Sequence, residues 1–249
     1  MKAILTYHSI DCSESPISVS EDSFKRHVRW LASGRVTVTT VDELLRLPET
    51  ADAVAITFDD GFSNFGDIAA PLLASVGLPS TLFVVTDHVG GTNAWGGVRD
   101  PGVPTLPLMD WQELARLRQH GVTLAAHTRS HRRLHALARD ELAEEIAGSA
   151  RVLEQRTGTA PTGFAYPYGA VSDEAAAMVA EEFHWACTTE LRPLHADAEP
   201  SRLPRLDMYY FRERGRLETW GTARFRYYLT LRSQARRLRQ RWAPVTHTP

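Results

Sequence analysis

Ala55-Ile56-Thr57-Phe58-Asp59-Asp60-Gly61 is an apolar run that ends abruptly in two carboxylates and a glycine. The apolar part reads as a buried strand, Ala53 to Phe58. Ionised carboxylates are costly in a low-dielectric interior, so two in succession at a strand end call for a metal, a cationic partner or open solvent. Neighbouring side chains of an extended chain point to opposite sides. The two Asp are therefore expected to differ in role, one binding a cation and the other remaining free as a base. An ordinary Asp-Asp-Gly turn is the plainer reading of the same residues.

A second apolar run, Val122-Thr123-Leu124-Ala125-Ala126, ends in His127-Thr128-Arg129-Ser130-His131. Imidazoles four residues apart share one face of a helical turn or converge across a tight loop. In parallel β/α architectures the C-terminal strand ends gather around one site. Two His and one carboxylate, with the remaining positions left to water, make a catalytic metal set rather than a closed structural one.

Further out, strand and helix patterns alternate. Ile4 to His8 and Val36 to Thr39 are strand-like, Ser20 can cap a helix containing Phe24, Val28 and Leu31, and Thr40-Val41-Asp42-Glu43 matches a capping box. A helix is expected around Ile68 to Ser75, then a strand Thr81 to Val85. Asp87 to Pro107 holds five Gly and three Pro and reads as a loop beside the site. Asp110 should cap a helix Trp111 to His120. A helix of about Ala138 to Gln155, strands Gly163 to Tyr166 and Trp185 to Thr189, and a helix Ser172 to Glu182 complete the series. Repeated β-then-α units favour a parallel sheet or barrel.

Three segments together resemble the polysaccharide deacetylases with the NodB-homology domain, family 4 of the carbohydrate esterases. They are Thr57-Phe58-Asp59-Asp60-Gly61, His127-Thr128-Arg129-Ser130-His131 and Phe164-Ala165-Tyr166-Pro167-Tyr168-Gly169. The resemblance implies a single-domain α/β fold, a distorted (β/α) barrel. It implies Asp60, His127 and His131 as ligands of a divalent metal, usually zinc, and Asp59 as catalytic base. Typical relatives carry an Arg where this chain has Ala165, so the base is expected to lack its orienting guanidinium. They also supply the acid from a late Leu-x-His motif. The late segment here, Arg202-Leu203-Pro204-Arg205-Leu206-Asp207, has no histidine. Some relatives have an early Tyr-His motif instead; Tyr7-His8 matches it, which makes His8 the expected acid.

The activity so implied is metal-dependent N-deacetylation of an N-acetylated amino sugar, in a glycan, a lipid-linked intermediate or a small glycoside. Hydrolysis of another amide (a formamido sugar, cyclic imide or ureide) is an alternative, and so is noncatalytic carbohydrate binding on the same fold. Tyr166, Tyr168 and Trp95 are candidate sugar contacts, and the Tyr168-Gly169 turn is a candidate backbone donor to the oxyanion. Arg129, between the two histidines, could meet an anionic group or be solvated loop charge.

At 249 residues, 43% hydrophobic and 23% charged, the chain has the composition of a globular protein, and no apolar run approaches membrane-spanning length. Met1-Lys2-Ala3 leads straight into the first strand without a signal-peptide pattern, so the chain reads as cytoplasmic. The net charge of -2 conceals twelve Arg after residue 200, against Asp207, Glu213 and Glu218. The expected division is a deacetylase domain over 1–210 and an Arg-rich helical extension over 211–249. The extension, with Arg224, Arg226, Arg232, Arg236, Arg237, Arg239 and Arg241 among aromatics and leucines, reads as an amphipathic helix packed on or flanking the barrel. A sharper possibility is docking on an anionic membrane surface. Nucleic acid is not an expected partner, because no recognised binding module accompanies the charge.

Overall fold

The computed structural model describes residues 1–97 and 102–242, without the side chains of 118, 237 and 239–242. Its strands are β1 (Lys2–Tyr7), β2 (Ser9–Ile10), β3 (Ser18–Val19), β4 (Thr37–Thr39), β5 (Ala53–Phe58), β6 (Ser80–Val84), β7 (Val122–Ala126), β8 (Gly163–Ala165), β9 (Trp185–Cys187) and β10 (Leu206–Asp207). The helices are α1 (Glu21–Leu31), α2 (Val41–Arg46), α3 (Ala70–Ser75), α4 (Trp111–Leu117), α5 (Arg139–Thr157), α6 (Asp173–Glu182) and α7 (Ala223–Trp242). The main sheet is parallel, in the order β10-β1-β5-β6-β7-β8-β9, with β4 paired to the first half of β5; β2 and β3 form a separate ribbon. Leu203 bonds to Ala186 and Thr188 through the backbone, drawing the far edge towards β10 and curling the sheet into a distorted (β/α) barrel.

Residue alternation sorts the core into two layers. Ile4, Ala53, Ala55, Phe83, Ala125, Ala165, Trp185 and Cys187 fill the inside of the curl. Their neighbours Leu5, Val54, Ile56, Phe58, Leu82, Val84 and Phe164 face the helices. Small alanines inside and larger residues outside suit a narrow barrel wrapped by helices.

Local chemistry starts most helices where the sequence places them. Ser20 accepts from Ser23 N–H (3.3 Å), Ser172 from Ala175 N–H (3.2 Å), and Thr40 and Glu43 form the expected box. Asp110 and Glu113 exchange backbone bonds of 2.8 and 2.7 Å before α4. Two elements differ from expectation. The helix expected at Ile68 begins as a π-helical turn, Phe65–Ala69, because Pro71 has no N–H with which to continue the regular ladder. The helix expected to reach His120 tightens into a 3₁₀ turn at Arg118–His120.

The Asp87–Pro107 segment is a loop pinned at its stem. Asn93 donates to Pro104 C=O (3.0 Å) and accepts from Leu106 N–H (2.8 Å); residues 98–101 lie outside the described residues. On α7, Phe225 and Leu229 are buried in the outer core layer, so these two apolar residues face the barrel and not a lipid surface. The side chains of Arg237, Arg239 and Arg241, and residues 243–249, also lie outside the described set. No helix among the described residues is long and apolar enough to cross a membrane.

Candidate active site and metal centre

The inward face of β5 continues Ala53, Ala55, Thr57 and then Asp59, so ordinary alternation carries the Asp59 carboxylate to the barrel mouth. On β1 the register pairs Tyr7 with Phe58, and His8 comes next. His8 Nε2 lies 3.6 Å from Asp59 Oδ2. The structure thus brings the early Tyr-His pair to the Asp pair.

Asp59 does not lack a guanidinium, contrary to the sequence expectation. Arg205 grips it with both terminal nitrogens, Nη1 to Oδ1 at 2.6 Å and Nη2 to Oδ2 at 2.7 Å. Its Nε donates to Thr188 C=O at 3.0 Å. Arg205 is 1% exposed and Asp59 2%. Burial opposes ionisation of Asp59, but Arg205 and His8 outweigh it and hold the carboxyl below its ordinary range. The sequence carries no clear signal for Arg205, because Arg202 and Asp207 beside it make the segment read as solvated charge.

Alternation alone would turn Asp60 out of the barrel. Instead its backbone is left-handed (φ 75), as is that of Gly61 (φ 86), and this turn brings the second carboxylate back to the mouth. His127 continues the inward face of β7 after Ala125. The chain then loops, with Thr128 (φ 65) and His131 (φ 63) also left-handed, so the two imidazoles meet across a tight loop and not on a helix. Non-glycine residues in this region are strained, and such strain clusters at functional sites.

Asp60, His127 and His131 present one ligand atom each, all within 4.8 Å of one another. His127 Nδ1–H donates to Ala165 C=O at 2.7 Å, which fixes the tautomer and aims the Nε2 lone pair at the cluster. Asp60 Oδ1 is buried with no hydrogen-bond donor among the described residues, and its neighbours are His127 Nε2 (3.4 Å) and His131 Nε2 (3.3 Å). An orphaned carboxylate oxygen facing two imidazole nitrogens fits a divalent cation. Burial opposes the charge on Asp60, yet the two imidazoles keep its carboxyl well below the ordinary range, while burial pushes His131 down. Burial also works against a charge on His127, but Asp60 and Asp59 raise it overall, a sign that the pocket favours positive charge.

Around the cluster the cleft is walled by Trp95, Asn93, Tyr166, Tyr168 and Thr189. Trp95 stacks on His131 (centroids 4.3 Å apart, 29° between planes), and Tyr168 meets the same ring edge-on at 4.7 Å. Tyr166 is fully buried and donates to Ser201 C=O at 2.9 Å, so its ring is part of the floor. The Gly169 N–H is already committed to Tyr166 C=O (2.9 Å). What Gly169 supplies is space: at φ 70 a Cβ would collide with Thr189. Arg129 is turned from the cleft, its guanidinium held by Asp87 (3.0 Å) and Glu144.

A family model for polysaccharide deacetylases matches residues 46–183, more than half of the chain. The chain belongs to the polysaccharide deacetylase family. It is 27% identical over 176 residues to YxkH of Bacillus subtilis, a stretch that is 69% of this chain and 58% of YxkH, so the chain spans less than two thirds of that relative. It is 26% identical over 206 residues to the poly-β-1,6-N-acetyl-D-glucosamine N-deacetylase of Staphylococcus epidermidis, covering 76% of this chain and 67% of the relative. Among solved structures, the Streptococcus pyogenes deacetylase PplD, in complex with acetate, superimposes with a TM-score of 0.70 over 82% of this chain and 91% of PplD. At 21% identity that likeness is one of fold. The match at 46–183 contains Asp59, Asp60, His127 and His131 but neither His8 nor Arg205, which β1 and β10 bring in from outside it.

Proposed function

We propose that this polysaccharide deacetylase family member is a metal-dependent N-deacetylase acting on an N-acetylated amino sugar, and that it belongs to the subgroup with an early Tyr-His motif. One observation carries the reading: an ionised carboxylate, Asp59, stands beside the Asp60–His127–His131 cluster without joining it, gripped by Arg205 and faced by His8. The name of the staphylococcal relative supports a glycan of N-acetylglucosamine as substrate.

A divalent cation held by Asp60, His127 and His131, zinc by its donor set, would polarise the acetamido carbonyl and make a water more acidic. Asp59 accepts the proton of the attacking water, in the ionised state that Arg205 maintains. As the carbon–nitrogen bond breaks, His8 gives a proton to the leaving amine; acetate and a free amino sugar result. Trp95 and Tyr168 flank the cluster as walls for the sugar ring, and the buried Tyr166 closes the floor.

Acetate release from β-1,6-linked N-acetylglucosamine oligomers tests the reading. Turnover is expected to require added zinc and to stop with Asp59→Ala, while His127→Ala loses bound metal. His8→Ala should retain metal and lose roughly 100-fold or more in kcat, the scale of a general acid. Unchanged turnover after complete chelation would sink the metal mechanism, and unchanged turnover in His8→Ala would remove His8 from it.

A further inference from the structure

Arg133 lies at the rim of this cleft with its guanidinium carbon 3.9 Å above the centroid of the Tyr168 ring. Tyr168 in turn meets the ring of His131 edge-on, so the cation stands one aromatic ring away from a candidate metal ligand. Its backbone sits between two buried residues, His131 and Leu134, and Leu134 opens a 3₁₀ turn. The platform beneath it is also fixed: Tyr168 is held left-handed (φ 60), and its C=O accepts from Thr189 Oγ1 at 3.4 Å.

What sets Arg133 apart from its neighbours is its pairing. Arg129 is paired with Asp87 and Glu144, Arg132 with Glu141, Arg202 with Asp173 and Glu199, and Arg205 with Asp59. Arg133 is exposed and has no carboxylate partner among the described residues. A guanidinium stacked on an aromatic face uses its π surface and keeps its N–H groups directed outward in its own plane. Those donors form the fork that matches the two oxygens of a carboxylate or phosphate. Stacking also removes rotamer freedom in advance, which lowers the ordering cost of binding.

We propose that Arg133, laid over Tyr168 at the cleft mouth, forms a subsite for an oxyanion carried by the substrate, a phosphoryl or carboxylate group on or next to the sugar that loses its acetyl group. The inference rests on the deacetylase reading for its reaction but not for its binding. A neutral glycan gives the fork nothing beyond what water already supplies; an oxyanion replaces that water with a charge-assisted, bidentate contact.

Three trisaccharides of N-acetylglucosamine test it on the zinc-loaded chain: one neutral, one bearing a 6-phosphate and one ending in a glucuronate. An anionic form is expected to show kcat/KM about tenfold above the neutral one, through KM, with the advantage shrinking as ionic strength rises past the screening range. Arg133→Ala should erase that ratio, and Arg133→Lys should keep part of it, since lysine retains the charge without the fork. The phosphate and glucuronate arms distinguish the two oxyanions. Equal treatment of all three sugars by the wild type, or an Arg133→Ala loss shared equally by neutral and anionic sugars, would overturn the proposal and leave Arg133 as packing for Tyr168. If no sugar releases acetate, the deacetylase reading fails by itself. Titration calorimetry with the same sugars, on wild type and Arg133→Ala, then decides the subsite by the same ratio.

Discussion

Asp59 and Arg205 are a charge pair in a place where neither could stand alone. Both are almost fully buried, and their two bonds of 2.6 and 2.7 Å satisfy the carboxylate from one side. Removing one partner from such a pair typically costs about 3–5 kcal/mol, because the other charge stays buried and uncompensated. Arg205→Met is therefore expected to lose about that much stability in urea unfolding, and the double variant Asp59→Asn/Arg205→Met should recover much of it. A double variant no more stable than Arg205→Met would mean that the side chain matters through volume rather than charge. The pair also shows what was legible residue by residue. Asp59, Asp60, His127 and His131 each follow an apolar run, where the change of chemistry marks a strand end. Arg205 is separated from its partner by 146 positions and opens an arginine-rich region, so its neighbours suggest solvated charge and only the fold reveals the pairing.

At the scale of elements, strand ends and helix caps were readable because their causes are local: alternation, Ser and Thr side chains at N-termini, a glycine where φ turns positive. The left-handed turn at Asp60 was not. Alternation separates the two Asp, and only the turn lets both serve one site. Which residues of α7 meet the barrel was equally hidden, because their burial depends on a distant surface. Phe225 stacks on Phe211 (5.5 Å, 28°) beside Trp220, and Tyr228 Oη donates to Tyr210 C=O at 2.6 Å. Tyr227 and Leu231 remain exposed on the same helix. Truncating a fully buried Phe leaves a cavity costing about 3–5 kcal/mol. Phe225→Ala should therefore lower the urea midpoint of the whole chain in one transition, whereas Tyr227→Ala should leave it within about 0.5 kcal/mol. A separate early transition in Phe225→Ala would show that α7 melts apart from the barrel.

Across the whole molecule, chain ends far apart in sequence are tied beside the site. His27 on α1 accepts from Tyr7 Oη through Nδ1 (3.1 Å) and donates through Nε2 to Phe211 C=O (2.9 Å), joining β1 to the segment that leads into α7. The bond from Tyr7 Oη needs an unprotonated Nδ1, whereas the bond to Phe211 C=O is made by either form of the ring. Burial drives the folded-state value of His27 down to about 4, against 6.5 for the free side chain. Between these two values the unfolded chain holds the extra proton and the native chain does not, so stability rises with pH across the window. The contribution is complete above about pH 6.5 and is lost as pH falls towards 4; over the full interval it amounts to about 3 kcal/mol. His27→Gln keeps one acceptor and one donor but cannot titrate. Its unfolding free energy, followed by urea denaturation from pH 7 to pH 4, should fall by about 3 kcal/mol less than that of the wild type. Parallel curves for the two proteins would show that His27 is not buried neutral. The β1 strand that this contact anchors is also the one that delivers His8 to Asp59, so the same experiment on acetate release links the clamp to the site. If the clamp holds the proposed acid His8 in place, His27→Ala, which removes both contacts, should lower kcat, whereas His27→Gln, which keeps a donor and an acceptor, should leave it near the wild-type value.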